Sequence, residues 1–208
     1  MLTKLDYSIF TCYFACAINY SVLKEVYTVS TTAIRETAIG SWELDPVHSS
    51  VGFEVPYLVG TFKGQFREIA GSLSVDHDRA QLEGTAKVES VDGKDENLAA
   101  HLQSPDFFDA ERHPELRFTA SDIELGDDSV AAHGELTIKG VTKPVEVTGK
   151  VTDVIVDGYG RERIGLELTT TVNRHDFGVS WNMPLPTGEP SVGDDVTIVA
   201  KLYFTKAA

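Results

Sequence analysis

The chain has 208 residues, 42% of them hydrophobic and 24% charged, with a formal net charge of −14, figures that fit one globular domain with a sizeable core. That charge, with Lys and Arg dispersed and no local basic patch, disfavours nucleic acid or anionic headgroups as partners. The two cysteines, Cys12 and Cys16, lie in the first forty residues, so the body of the protein has neither a disulfide framework nor a thiolate metal site.

Residues 1–28 are set apart as a doubtful extension. Asp6 and Asn19 interrupt the apolar run of MLTKLDYSIFTCYFACAINYSVL, a poor secretion signal, and Tyr13, Phe14 and Ala15 are a poor lead-in to a lipidated Cys16. A third reading is that Lys24-Glu25-Val26 is encoded by AAG GAG GTN, a bacterial ribosome-binding sequence, with Val29 the true start. The nucleotide sequence decides it. With no convincing signal, the expectation is a cytoplasmic protein, with the periplasm or secretion as the alternative. No apolar run approaches the roughly 20 residues of a membrane-spanning helix, so no stable membrane insertion is expected. Residues 29–40 are a lead-in, and the domain is 41–208.

From Trp42 onward the dominant period is two. Apolar residues alternate as Val51, Phe53, Val55, then Leu82, Gly84, Ala86, Val88, then Leu116, Phe118, Ala120, the pattern of half-buried strands. It returns in Val130 to Ile138, Val145 to Val151, Ile164 to Val172 and Val196 to Phe204. Turn chemistry separates these strands: DHDR at 76–79, GDDS at 126–129, KGVTKP at 139–144 and DGYG at 157–160. One stretch departs from this rhythm. DENLAAHLQS at 95–104 offers Asp95 or Asn97 as N-cap and spaces Leu98 and Leu102 four apart, which predicts a short helix ending before Pro105.

The predicted fold is therefore all-β: an extended antiparallel up-and-down barrel of about eight strands, lipocalin-like, with a short helical insert. Closure protects so many strand edges. Inward positions include Gly84, Ala86, Ala120, Ala132, Gly134, Gly149 and Ala200. Small residues among Phe, Leu and Val leave room for a ligand, unless neighbouring rings fill it. SPDFFDAERHPELRFTA at 104–120 mounts Phe107 and Phe108 on a turn between Asp106 and Asp109. There the carboxylates can cap backbone N–H groups, Pro105 and Pro114 stiffen the turn, and the rings serve as a wall or lid for a hollow, or as a plug joining helix to barrel.

Motifs for catalysis are sparse. G-x-S-x-G, Walker A, G-x-G-x-x-G, H-x-H and H-E-x-x-H are all lacking. His48 reads as a structural residue, and Pro114 disfavours a helical Asp109–His113 pair. Asn173-Arg174-His175-Asp176 is the most polar cluster, expected to hold a structural ion pair from Arg174 to Asp176, Glu162 or Asp106. Arg161 and Arg163 alternate with Glu162 as a solvated face, or alternatively meet a ligand phosphate.

The chain resembles the YceI family of lipocalin-like proteins that bind polyisoprenoids and related lipids. The resemblance covers residues 41–206 and rests on WELDPVHSSVGFEV, TFKGQF, SPDFFDAERHPELRF, GELTIKGVTKPV, GRERIGLELTTTVNRHDFG and VGDDVTIVAKLYF in order. It implies a barrel with a helix beside it, enclosing an apolar tunnel for an isoprenoid chain, that of a quinone or of a polyprenyl phosphate or alcohol, without catalysis. Many relatives carry a clean secretion signal, which this chain does not. The ligand-binding candidates, chosen as inward-phase or turn-mounted apolar groups, are Phe53, Val55, Phe62, Phe66, Phe107, Phe108, Phe118, Phe177 and Trp181. No catalytic or metal residue and no cofactor beyond a bound lipid is expected, and a homodimer stays open. The alternatives are a small-molecule hydrolase or isomerase using Asn173–Asp176, and a structural or stress-related interaction protein whose barrel is filled.

Overall fold

The computed structural model describes residues 36–207; the segment 1–28 and the expectations attached to it lie outside the described residues. The alternating segments form strands β1 (Gly40–Leu44), β2 (Ser50–Tyr57), β3 (Gly60–Phe66), β4 (Ile69–Val75), β5 (Ala80–Lys87), β6 (Val91–Asp92), β7 (Glu115–Leu125), β8 (Ser129–Ile138), β9 (Val141–Val151), β10 (Ile155–Val156), β11 (Glu162–Asn173) and β12 (Asp195–Lys206). All pairings between them are antiparallel.

These strands build an eight-stave barrel, because four staves are each made of two strands, one of them β9 and β10 end to end along β11. β1 and β2 lie end to end on one edge of β12, with Leu44 opposite Phe204 and Ser50 opposite Lys201. The intervening loop is held where the Asp45 N–H donates to the Tyr203 carbonyl at 2.8 Å and the Tyr203 N–H donates to Ser49 Oγ at 2.9 Å. β3 and β4 form the next stave, pairing with β2 and β1 respectively, and β5 and β6 the third. β7, β8, β9 and β11 follow in order, and β11 returns to β12 along its whole length, which closes the ring. The eight-strand antiparallel barrel expected from the alternation is the fold observed.

The helix is α1 (Glu96–Gln103), capped by Asp95, whose carboxylate accepts from the Asn97 and Leu98 N–H groups. Asn97 is not the cap. Three further local readings are corrected. Val88 belongs to a 3-10 turn and not to the strand before it. The turn at KGVTKP is confined to Lys139 and Gly140, and Pro144 lies inside β9 opposite Glu135. A strand tolerates proline where its N–H needs no partner, and β9 pairs with β11 only through Thr148–Val151. In β7 a bulge between Ala120 and Asp122 shifts the inward phase from even to odd positions, so Ile123 and Leu125 join the core.

One half of the barrel is packed solid. Trp42, Leu73, Leu125, Ile164, Leu166 and Phe204 are fully buried there, and the Trp42 indole N–H donates to the Ala38 carbonyl at 2.8 Å. Large rings need such a partner for their polar edge when buried.

Candidate functional site

The other half is hollow, and burial along single strands shows where the change occurs. On β12 the inward residues Val196, Ile198 and Ala200 are only half-buried, whereas Leu202 and Phe204 further along are buried. On β7 Leu116 and Phe118 are half-buried, whereas Ala120, Ile123 and Leu125 are buried. Inward apolar side chains retain accessible surface only where the interior is open. The opening is an apolar cavity of about 320 Å³, a size at the lower end of small-ligand sites. The resemblance implied a tunnel, but the packed half closes one end, so the hollow is blind, its deep end lined by Leu44, Leu82, Leu202 and Phe204.

All nine ligand-binding candidates line this cavity. One wall is an aromatic group: Phe53 stands with its ring centroid 6.0 Å from Phe62, 5.9 Å from Phe66 and 5.8 Å from Phe108. These edge and tilted arrangements are the favoured ones for aromatic pairs. Phe53 fits because its cross-strand partner is Gly64, where any Cβ would collide with the ring. The opposite wall holds Phe118, Phe177, Leu136, Ile138 and Val179. Phe107 and Trp181 stand at the mouth with His101, whose ring lies edge-on at 5.0 Å to each. Phe177 and Phe66 are the most buried of the nine, followed by Val55.

Phe107 and Phe108 both line the cavity, Phe108 packing into the wall cluster and Phe107 into the mouth. The turn beneath them is not capped by Asp106 and Asp109 as expected. Ser104 Oγ accepts from the Asp106 N–H, and the Phe107 and Asp109 N–H groups donate to the Ser104 carbonyl at 3.0 Å. Asp106 instead meets His101 at 3.2 Å and Asp109 pairs with Arg112. Lys139 fastens the turn from across the barrel, donating to the carbonyls of Pro105 at 2.6 Å and Gly178 at 3.2 Å.

The small inward residues have different fates. Gly84, Ala86 and Ala200 line the cavity. Ala120 and Ala132 are part of the packed half. The space at Gly134 is taken by the Phe118 ring, and β11 backbone passes tightly against Gly149, so at these two positions the neighbours fill the room.

Arg174 lines the cavity but aims inward at its own loop. Its side chain is 5% exposed, and it donates to the carbonyls of Gly193, Val179, Trp181 and Val192 and to Asp194. Its acidic partner is Asp194, in place of the expected Asp176, Glu162 or Asp106. The guanidinium fork, with donors in several directions, suits this multiple carbonyl capture. Asn173 caps the 3-10 turn Arg174–Phe177 through the His175 N–H, and His175 meets Asp194 at 2.8 Å. That contact, with Arg174 nearby, holds the Asp194 carboxyl below its ordinary value.

Arg163 lies elsewhere, donating to Asp157 at 2.8 Å and Asp45 at 2.9 Å, while Arg161 reaches Asp157 at 3.2 Å. The reading of Arg161 and Arg163 as a solvated face or a phosphate contact is corrected for Arg163: it fastens the β1–β2 loop to the β10–β11 hairpin. Its guanidinium holds both carboxyls well below the usual aspartate range. His48 is also a structural partner, at 2.8 Å from Asp45. Among the described residues no group of three or more His, Cys, Asp or Glu is arranged to hold a metal, and no helix is long and apolar enough to cross a membrane.

The residues missed in the sequence are mainly Val179, Val192 and Tyr57 at the mouth and Leu98 and Leu102 of α1. The heptad-like spacing of the two leucines was a usable signal for a cavity-facing helix side; the loop residues carried none.

Comparison with known proteins agrees with this architecture. A family model for the YceI-like domain matches residues 42–204. A UPF0312 protein of Staphylococcus epidermidis is 30% identical over 174 residues, 79% of this chain and 96% of that protein. One from Staphylococcus aureus is 31% identical over 173 residues, 79% and 97% of the two chains. The Campylobacter jejuni YCEI protein structure is similar with a TM-score of 0.63 at 26% identity, covering 72% of this chain and 88% of that one. A polyisoprenoid binding domain from Saccharophagus degradans has a TM-score of 0.62 at 14% identity, covering 80% of this chain and 98% of that one, a likeness of fold alone. The eight-stave barrel, its flanking helix and the match across nearly all of 41–206 place this chain in the YceI-like domain family.

Proposed function

We propose that the protein binds a long apolar tail, that of an isoprenoid or a similar long-chain lipid, in the open half of its barrel, and sequesters or carries it without turnover. The observation that supports this most is the burial gradient: inward apolar side chains are accessible in one continuous half and packed in the other. A filled interaction barrel would bury both halves alike. The family membership and the polyisoprenoid binding named for the Saccharophagus degradans domain lend support to a lipid ligand.

Burial of each methylene contributes about 0.8 kcal/mol, so one isoprene unit supplies about 4 kcal/mol before ordering costs. A tail of a few units is enough for firm binding without a salt bridge. The hydrolase or isomerase reading is weaker, because Asn173, Arg174 and His175 are each engaged in holding the loop beside the cavity.

The test is a titration with a fluorescent apolar probe, displaced by a polyprenol or a long-chain quinone. Saturable one-site displacement is expected, and a folded Phe118→Asp variant is expected to lose it. Probe binding at wild-type strength in that variant would contradict the placement of the ligand against Phe118.

A further inference from the structure

Two stretches of this acidic chain carry no ionisable group of either sign among Asp, Glu, Lys, Arg and His: residues 55–62, VPYLVGTF, and residues 177–188, FGVSWNMPLPTG. The fold brings them together. Tyr57 bridges Val192, the Leu58 N–H donates to the Ser191 carbonyl at 2.9 Å, and the Asn182 side-chain oxygen accepts from the Ser191 N–H at 2.9 Å. The tip of the β2–β3 hairpin and the loop after the last 3-10 turn thus form one rim, and Tyr57, Val179, Trp181 and Val192 of that rim line the cavity.

The rim displays apolar side chains to solvent. Val59 is fully exposed, and Tyr57, Leu58 and Met183 are 43% to 61% exposed. Leu58 also has φ of 51°, a turn conformation in which glycine or asparagine is the ordinary choice. A branched apolar residue is therefore held outward at a backbone position that disfavours it.

We propose that this rim docks on the neutral surface of a lipid bilayer, with Leu58, Val59 and Met183 entering the interface, so that a tail passes between the bilayer and the cavity without crossing water. The proposal rests on the lipid-binding reading above. A bilayer fits better than a protein partner for three reasons. The rim surrounds the mouth of an apolar hollow, so the contact that buries it also opens the hollow onto hydrocarbon. Tyr57 and Trp181 are the residue types that settle at headgroup level. The uncharged runs suit a neutral surface, whereas a net charge of −14 is repelled by an anionic one, and protein interfaces usually carry a polar rim.

The test uses the full chain with phosphatidylcholine vesicles, a Leu58→Asp/Val59→Asp variant, a Leu58→Asn variant that suits the turn, and Phe118→Asp as the cavity control. Flotation with vesicles and quenching of Trp181 by brominated acyl chains read docking, with buried Trp42 as the unquenched background; bound lipid mass reads the cavity. Wild type and Phe118→Asp are expected to float and to be quenched. The double aspartate variant is expected to bind at least about tenfold more weakly, the loss of two apolar anchors, and Leu58→Asn to bind more weakly than wild type, while both retain bound lipid. Flotation and quenching of both variants at wild-type level would overturn the proposal. So would lipid-loaded wild type that does not float, or a rim whose substitution only dissociates a dimer. Wild type that floats yet never holds lipid would overturn the lipid-binding reading and leave docking standing.

Discussion

Phe107 and Trp181 meet at the mouth of the cavity with ring centroids 5.3 Å apart, while the next residue, Phe108, turns into the wall at 5.6 Å from Phe66. Adjacent rings in the chain thus serve different surfaces. Phe108→Ala is expected to lower stability by about 2–4 kcal/mol, the range for truncating a core ring that is not wholly buried. Phe107→Ala should cost clearly less stability and should speed lipid release. Urea unfolding and a stopped-flow lipid-transfer assay check the pair. Equal effects of both substitutions on both readouts would contradict the division.

Arg174 organises the loop that carries Trp181. Its carbonyl partners would be left without donors in Arg174→Met, a loss of about 2–4 kcal/mol at a buried site. Arg174→Lys is expected to recover little, because a single ammonium cannot reach carbonyls in several directions. Hydrogen exchange in Val179–Val192 should rise in both variants. Protection at wild-type level in Arg174→Lys would show that charge alone suffices.

Acid stability depends on the far side of the barrel. Asp45 and Asp157 are depressed from their ordinary value of 3.8 by the Arg163 guanidinium between them. Groups depressed in the folded state add stability that is complete above the unfolded value and is lost as pH falls from there through the folded values. Wild-type stability should therefore decline below about pH 4, the range where free aspartates protonate. Arg163→Met should flatten that acid limb and lower stability at neutral pH. Urea midpoints across this range measure it, and parallel curves for the two proteins would contradict the assignment.

Ala200 sits at the level where β12 passes from open to packed interior, opposite Val51 and Leu168. Ala200→Phe should shorten the hollow from its deep end with little loss of stability, since it fills space and displaces no packed side chain. Displacement titrations with polyprenols of graded length should shift towards shorter tails. An unchanged length preference would place the tail elsewhere.

Alternation along the strands was enough to give the inward phase of Phe53, Val55 and Phe118, whereas Phe107 and Phe108 were legible only as rings mounted on a turn. Alternation could not give depth. Val196 and Phe204 share one face of one strand, and only the closure of the ring decides that the first lines a hollow and the second seals it. The loops at Asp45–Ser49 and at Arg67–Glu68 were also illegible, because a stave made of two strands is defined by cross-strand partners that lie far away in the chain. The bulge after Ala120 hid Ile123 and Leu125 by shifting the period by one. Arg174 was visible as a polar residue, but its carbonyl partners offered no signal, since backbone acceptors leave no trace in side-chain identity.

The most direct measurement is native mass spectrometry of the purified full chain, before and after organic extraction. The account predicts a discrete apolar adduct that is removed by extraction and is missing from a folded Phe118→Asp variant. A bare polypeptide mass in wild type, unchanged after incubation with polyprenol or long-chain quinone, would contradict it.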